Sequence, residues 1–264
     1  MKRFLLTLLT FALIAGALVL ALRPVAIEQL RLWKGARAVS GYRKAADALD
    51  TLDCGTRLAL ARENSGFPEN GEALDALDLN GDGVVAVLSI PKLGGPIPIY
   101  REDIGDVLEK GVVRGADAGL PVGGEGARCA LYGERKGRFA GLDRLIPGDC
   151  FYIEAIQDTL IYEVTQVLDA GSEAFDAEAP DGEADLCTLV AGADDDADAR
   201  GLVVRASRVS RRDAPLADDT LPLPDWAARG VLALPALLAG LLILTLVEAL
   251  RRGARRRRLK HTRI

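Results

Sequence analysis

A chain of 264 residues, 49% hydrophobic and 27% charged, is long enough for one domain of moderate size with anchoring segments at its ends. The net charge of -5 conceals a split: residues 251–264 carry eight Lys and Arg and no acid, so the rest of the chain is more acidic than the total suggests. That balance argues against a nucleic-acid partner. One histidine (His261) and four cysteines with no C-x-x-C spacing argue against a zinc site.

Taken in chain order, residues 1–23 read as an N-terminal transmembrane anchor. Phe4–Leu22 is apolar apart from Thr7 and Thr10 and follows Lys2 and Arg3. It has about the ~20 residues a helix needs to cross the hydrocarbon core. A cleavable signal peptide is the alternative, but the exit V-L-A-L-R-P offers no clean small-x-small site, which favours a retained anchor. Residues 24–83 form a helical region with a loop. Ile27, Leu30, Trp33, Val39, Tyr42, Ala45, Ala46 and Leu49 recur at helical intervals, and Glu63–Gly71 is marked as a loop by its Gly, Pro and Asn.

From Val84 the texture changes to strands. Val84–Ile90, Ile97–Tyr100, Arg128–Tyr132, Cys150–Ile156, Leu160–Val167, Leu186–Ala191 and Leu202–Ala206 read as strands. Arg101–Lys110 and Phe139–Leu145 read as short helical pieces. Many short strands separated by turn signals predict a mainly β domain over 84–210, a closed barrel of about eight strands with short helices. Residues 211–228, rich in Pro and Asp, form a linker. Residues 229–250 then read as a second transmembrane helix, with Gly230–Leu250 apolar except for Thr245 and Glu248. The basic tail 251–264 comes after it. By the positive-inside rule both termini are expected in the cytoplasm and the barrel outside, with anionic membrane lipid as a partner of the tail.

Several short blocks follow one another through this region: L-S-I-P-K-L at Leu88–Leu93, P-I-P-I-Y at Pro96–Tyr100 and V-L-E-K-G-V-V at Val107–Val113. L-P-V-G-G at Leu120–Gly124, L-I-P-G-D-C-F-Y-I at Leu145–Ile153, I-Y-E-V at Ile161–Val164 and D-L-C-T-L-V-A-G at Asp185–Gly192 complete the series. No block alone is specific, but in this order they resemble the sortases, the surface transpeptidases that attack a sorting signal with a cysteine. Two spans and a long N-terminal helical region resemble the class C, pilus-building sortases in particular. Those carry a lid with a D-P-F or D-P-W motif, whereas this chain has only Phe67-Pro68 with no Asp before it.

The resemblance implies a thiolate nucleophile, a histidine to manage protons and an arginine to stabilise the charge on the carbonyl oxygen. At the matching positions this chain has other residues. The T-G-H-R-G block aligns with Tyr132–Lys136, which puts Glu134 at the histidine position. Gly192 stands at the cysteine position. The arginine interval falls on Gly201, with Arg200 one residue early. A one-residue slip turns a side chain to the other face of a strand, and a bulge at Gly201 could undo it, so the direction of Arg200 stays open. Cys187 precedes Gly192 by an odd offset and belongs on the opposite face, where it reads as a packed strand residue.

In sortases the strands matching Arg128–Glu134 and Asp185–Gly192 run parallel, side by side. The resemblance therefore makes Cys129 and Cys187 lateral neighbours, as a disulfide or as two reduced core thiols. Calcium is the one cofactor the residues suggest. Asp78, Asn80, Asp82 and Gly83 match positions one, three, five and six of an EF-hand loop, but Ser89 stands where the closing acid belongs, and a polar turn is the stronger reading. Asp194–Asp198 reads as a solvated acidic loop that would make the cleft mouth acidic. The expected function is that of a catalytically inactive, sortase-like cell-surface protein, a pseudoenzyme acting as scaffold, binding module or regulator. Its expected partners are pilin subunits or an active sortase. The alternative is an active class C sortase with displaced catalytic groups.

Overall fold

The computed structural model describes residues 29–64, 71–102, 107–116, 118–170, 184–192 and 201–210, together with Gly16, Arg23 and Ile27. The candidate spans (Gly16 apart), the Phe67-Pro68 lid-like segment, the linker and the basic tail lie outside the described residues. Among the described residues no helix is long and apolar enough to cross a membrane. The chain divides into two compact units, Met1–Leu30 with Leu223–Ile264, and Arg31–Pro222. The second unit holds the barrel.

Within the region 24–83, the helical stretch anticipated ahead of the Glu63–Gly71 loop is, among the described residues, two helices, α1 (29–47) and α2 (Thr51–Glu63). The break falls at Asp50, whose extended backbone and carboxylate cap the new helix by accepting from the Asp53 amide at 2.8 Å. A third helix, α3 (Gly71–Leu77), was not anticipated. Its seven residues are too few to show a helical period, and it is held by burial of Ala73, Leu74, Ala76 and Leu77 and by Arg57, which donates to the Ala76 carbonyl at 2.9 Å. Of the helix expected over Arg101–Lys110, only α4 (Val107–Lys110) is helical among the described residues. The turn expected over Phe139–Leu145 narrows to a 3-10 turn at Leu142–Arg144.

The barrel has eight strands: β1 (Val84–Ser89), β2 (Ile97–Tyr100), β3 (Val112–Arg114), β4 (Arg128–Glu134), β5 (Cys150–Ala155), β6 (Asp158–Ala170), β7 (Leu186–Gly192) and β8 (Gly201–Arg208). They close in the order β1-β2-β3-β4-β7-β8-β6-β5. Two pairings, β2–β3 and β4–β7, are parallel, and the others are antiparallel. Closure leaves no free sheet edge.

The interior is filled by inward side chains from the strands, among them Leu88, Ile99, Leu131, Phe151, Leu189 and Val204. Strand β1 is buried at all six positions because it is covered on both faces. Its outer face meets Val39 and Tyr42 of α1 in a second cluster with Val84, Val87, Tyr100 and Val113. Tyr42 fastens that helix. Its hydroxyl donates to the Val85 carbonyl and accepts from the Ile156 amide, each at 2.9 Å. Ile156 occupies the β5–β6 turn at φ 56°, an unusual conformation for a β-branched residue, and this contact helps to hold it there. Arg43 adds a paired contact with Glu154, at 2.9 and 2.7 Å.

Candidate functional site: the ends of β4 and β7

Parallel strands β4 and β7 align without a shift from Arg128 opposite Leu186 to Glu134 opposite Gly192. Side chains alternate between the two faces of a strand. Cys129, Leu131 and Gly133 on β4, and Cys187, Leu189 and Ala191 on β7, are buried in the barrel. Glu134 and Gly192 therefore belong to the outer face, at the ends of their strands. The register places the two positions side by side, as the motif alignment implied.

Gly192 is an open position. A Cβ built there meets only the Gly133 carbonyl oxygen, at 3.8 Å, among the described residues. Its backbone lies outside the left-handed region, so the conformation itself does not call for glycine. The inward neighbour Gly133 is the opposite case. A Cβ there would lie 2.7 Å from the Phe139 ring and 3.0 Å from Val112. One glycine is required by packing and the other is not.

Glu134 closes a tight turn. Its carbonyl accepts from the Gly137 amide at 3.0 Å and the Phe139 amide at 3.2 Å, and its carboxylate lies over Gly137. Arg138 ties this turn to the helices, donating to the Lys110 carbonyl at 2.8 Å and the Arg31 carbonyl at 3.4 Å. Glu134 can act as a hydrogen-bond acceptor or a proton acceptor, but Gly192 beside it has no group to receive or lose a proton.

Gly201 opens β8 and is buried, while Arg200 and Asp194–Asp198 lie outside the described residues. On β8 an arginine that does face outward is Arg205, opposite Thr188 of β7 and Gln166 of β6. The motif count did not single it out, although its parity with Gly201 was available. Cys187 is fully buried, and that burial, reinforced by the neighbouring Cys129 thiol, pushes its thiol pKa well up. It faces the interior, away from Glu134 and Gly192. Both cysteines are free thiols in this structure.

Two other features bear on the site. Asp185, just before β7, accepts from the Tyr162 hydroxyl at 2.9 Å, the Gly124 amide at 3.0 Å and Arg208 at 3.1 Å. It thereby joins the L-P-V-G-G segment to the start of β7. Sequence reasoning missed this hub, whose signal was an acid placed directly before an apolar strand. In the EF-hand-like segment, Asp78 accepts from the Asp82 and Gly83 amides at 3.1 Å, and Asp82 accepts from the Val84 amide at 3.2 Å. These carboxylates organise their own turn. Burial raises the Asp82 pKa.

A closed eight-stranded barrel with parallel β4 and β7 and a helical N-terminal extension is a sortase-type fold, and the solved structures it matches are sortase C enzymes. The chain is similar to sortase C of Streptococcus pneumoniae, with 23% identity, a TM-score of 0.59, and coverage of 68% of this chain and 100% of that one. Sortase C1 of GBS pilus island 1 matches at 25% identity and TM-score 0.59, over 70% of this chain and 97% of that one. Sortase C from Clostridium perfringens SM101 matches at 26% identity and TM-score 0.55, over 66% and 99% respectively. No protein-family model matches the chain, and no curated protein matches it in sequence.

Proposed function

We propose that this chain is a membrane-anchored surface protein that uses a sortase C-like barrel for binding instead of bond-making, as a scaffold or regulator in pilus assembly or surface-protein anchoring. The observation that carries the reading is Gly192 directly opposite Glu134 at the ends of β4 and β7. Acyl transfer through an enzyme thioester needs a thiol on the face where the proton acceptor stands, and the nearest thiol along β7, Cys187, faces the other way. A barrel interior can persist when reactive groups are lost, because packing and chemistry use different side chains.

Pilin subunits or an active sortase are the partners proposed, since the sortase C of Streptococcus pneumoniae is described for its pilin substrate specificity and a second neighbour comes from a pilus island. The anchors proposed are Phe4–Leu22 and Gly230–Leu250, with both termini inside, the basic tail against anionic lipid, and the barrel at the cell surface. The test is affinity purification of the tagged full-length chain from detergent-solubilised membranes after mild cross-linking. Recovery of pilins or an active sortase, weakened by charge reversal at Glu134, supports the reading. Recovery of neither sinks it.

A further inference from the structure

Two thiols that the proposed function leaves unused face each other inside the barrel. Cys129 and Cys187 are directly opposite in the unshifted β4–β7 ladder, and both are buried. Laterally paired residues in a sheet have Cα atoms about 4.8 Å apart, inside the ~4.4–6.8 Å window a disulfide requires. Both side chains leave their strands on the inner face, so the Cβ vectors point the same way. The remaining cysteines have no such counterpart: Cys54 is on α2, and Cys150 is opposite Glu163.

We propose that Cys129 and Cys187 are joined by a disulfide in the mature protein, a covalent tie between the two strands whose ends carry Glu134 and Gly192. The bond forms by loss of one hydrogen from each thiol. The two electrons pass to a disulfide of an extracytoplasmic thiol oxidoreductase. One cysteine thiolate attacks that disulfide and displaces one of its sulfurs, leaving a mixed disulfide. The second thiolate then attacks the mixed disulfide, the acceptor departs as a dithiol, and the proton balance closes there: the two protons lost by the cysteines are taken up by its two sulfurs.

Cys187 has no access to solvent in the closed barrel, so exchange precedes the docking of β7. For the same reason the finished bond resists reductant until the barrel is opened. The tie spans a loop that contains β5 and β6, so it restricts the unfolded chain, and it holds the register that sets Glu134 beside Gly192. The inference rests on the part of the proposed function that places the barrel outside the reducing cytoplasm.

The experiment is a non-reducing peptide map of the full-length chain from native membranes, alkylated in denaturant before digestion. The expected result is a cross-linked Cys129–Cys187 peptide with Cys54 and Cys150 alkylated, and, before alkylation, an intact mass two hydrogen masses below that of the fully reduced chain. The cross-link should survive reductant on the folded protein and disappear with reductant in denaturant. Alkylation of both Cys129 and Cys187 in the membrane-derived chain overturns the proposal. A parallel arm refolds the purified full-length chain in detergent with oxidised and reduced glutathione and says why. A bridge formed there means the geometry is sound and the placement outside the cytoplasm is wrong. No bridge means the strand geometry is wrong, and the proposed function stands independently of it. The double variant Cys129→Ala/Cys187→Ala should lose the peptide and any dependence of Tm on reductant in partly denaturing conditions.

Discussion

The inner and outer faces of the same two strands carry different demands. Inside, β4 and β7 present Cys129, Leu131, Gly133, Cys187, Leu189 and Ala191, all buried against a closed core. Outside, at their ends, they present Glu134 and Gly192, where an added Cβ at Gly192 makes only an ordinary contact with the Gly133 carbonyl oxygen among the described residues. Packing constrains every inner position, because a change of even one methylene is felt in a close-packed interior. At the outer position only chemistry would demand a particular side chain. The two faces therefore separate what makes the fold from what would make an enzyme.

Removing interior volume challenges this contrast most severely. Leu131→Ala or Leu189→Ala should cost about 2–5 kcal/mol, read by urea unfolding in detergent. A loss comparable to that of an exposed-site change would mean the interior is not packed as described. Next, Tyr42→Phe leaves the Ile156 amide without its hydroxyl partner and removes the donor to Val85, for a loss of about 1–3 kcal/mol. The two glycines offer the closest side-by-side test. Gly133→Ala should destabilise by about 1–3 kcal/mol through collision with Phe139 and Val112. Gly192→Ala, one residue along on the partner strand and on the other face, should change stability by less than about 0.5 kcal/mol. Equal effects at both positions would erase the distinction between the faces.

A further small effect concerns pH. Asp149 is partly desolvated, which raises its pKa, but the Lys92 ammonium at 2.7 Å and the Ile146 amide at 2.8 Å outweigh this and hold it below the ordinary value of 3.8. A depressed folded-state pKa means the contribution is fully present above the unfolded value and is lost as pH falls through the folded one. Asp149→Asn should therefore lower the stability slightly above pH ~4, by less than about 1 kcal/mol given the exposure of Lys92, with the two proteins converging in stronger acid.

Much of this architecture was legible because barrel strands announce themselves. Ile97–Tyr100 was bounded as found, and six others were displaced by one to three residues at their ends, with β6 running on to Ala170 and β8 starting at Gly201, whereas β3 (Val112–Arg114), only three residues long, was not among the strands read from the apolar pattern. The pairing of Glu134 with Gly192 and of Cys129 with Cys187 came from the resemblance, since parallel alignment of strands distant in sequence leaves no local signal. Helix α3 and the Asp185 hub were not legible. The first is too short to show a period, and the second depends on Tyr162, Gly124 and Arg208 arriving from separate elements. The contacts of Tyr42 were equally hidden, because its position read only as one apolar point on a helical stripe.

Among the described residues, no thiol nucleophile stands on the outer face where β4 and β7 end. Intact-mass analysis of the full-length chain after incubation with sorting-signal peptides, quenched in acid to preserve a thioester, tests whether the protein as a whole lacks one. An unmodified chain and uncleaved peptide are expected. An acyl adduct mapped to any of the four cysteines, with the matching peptide fragment released, would contradict a binding-only barrel.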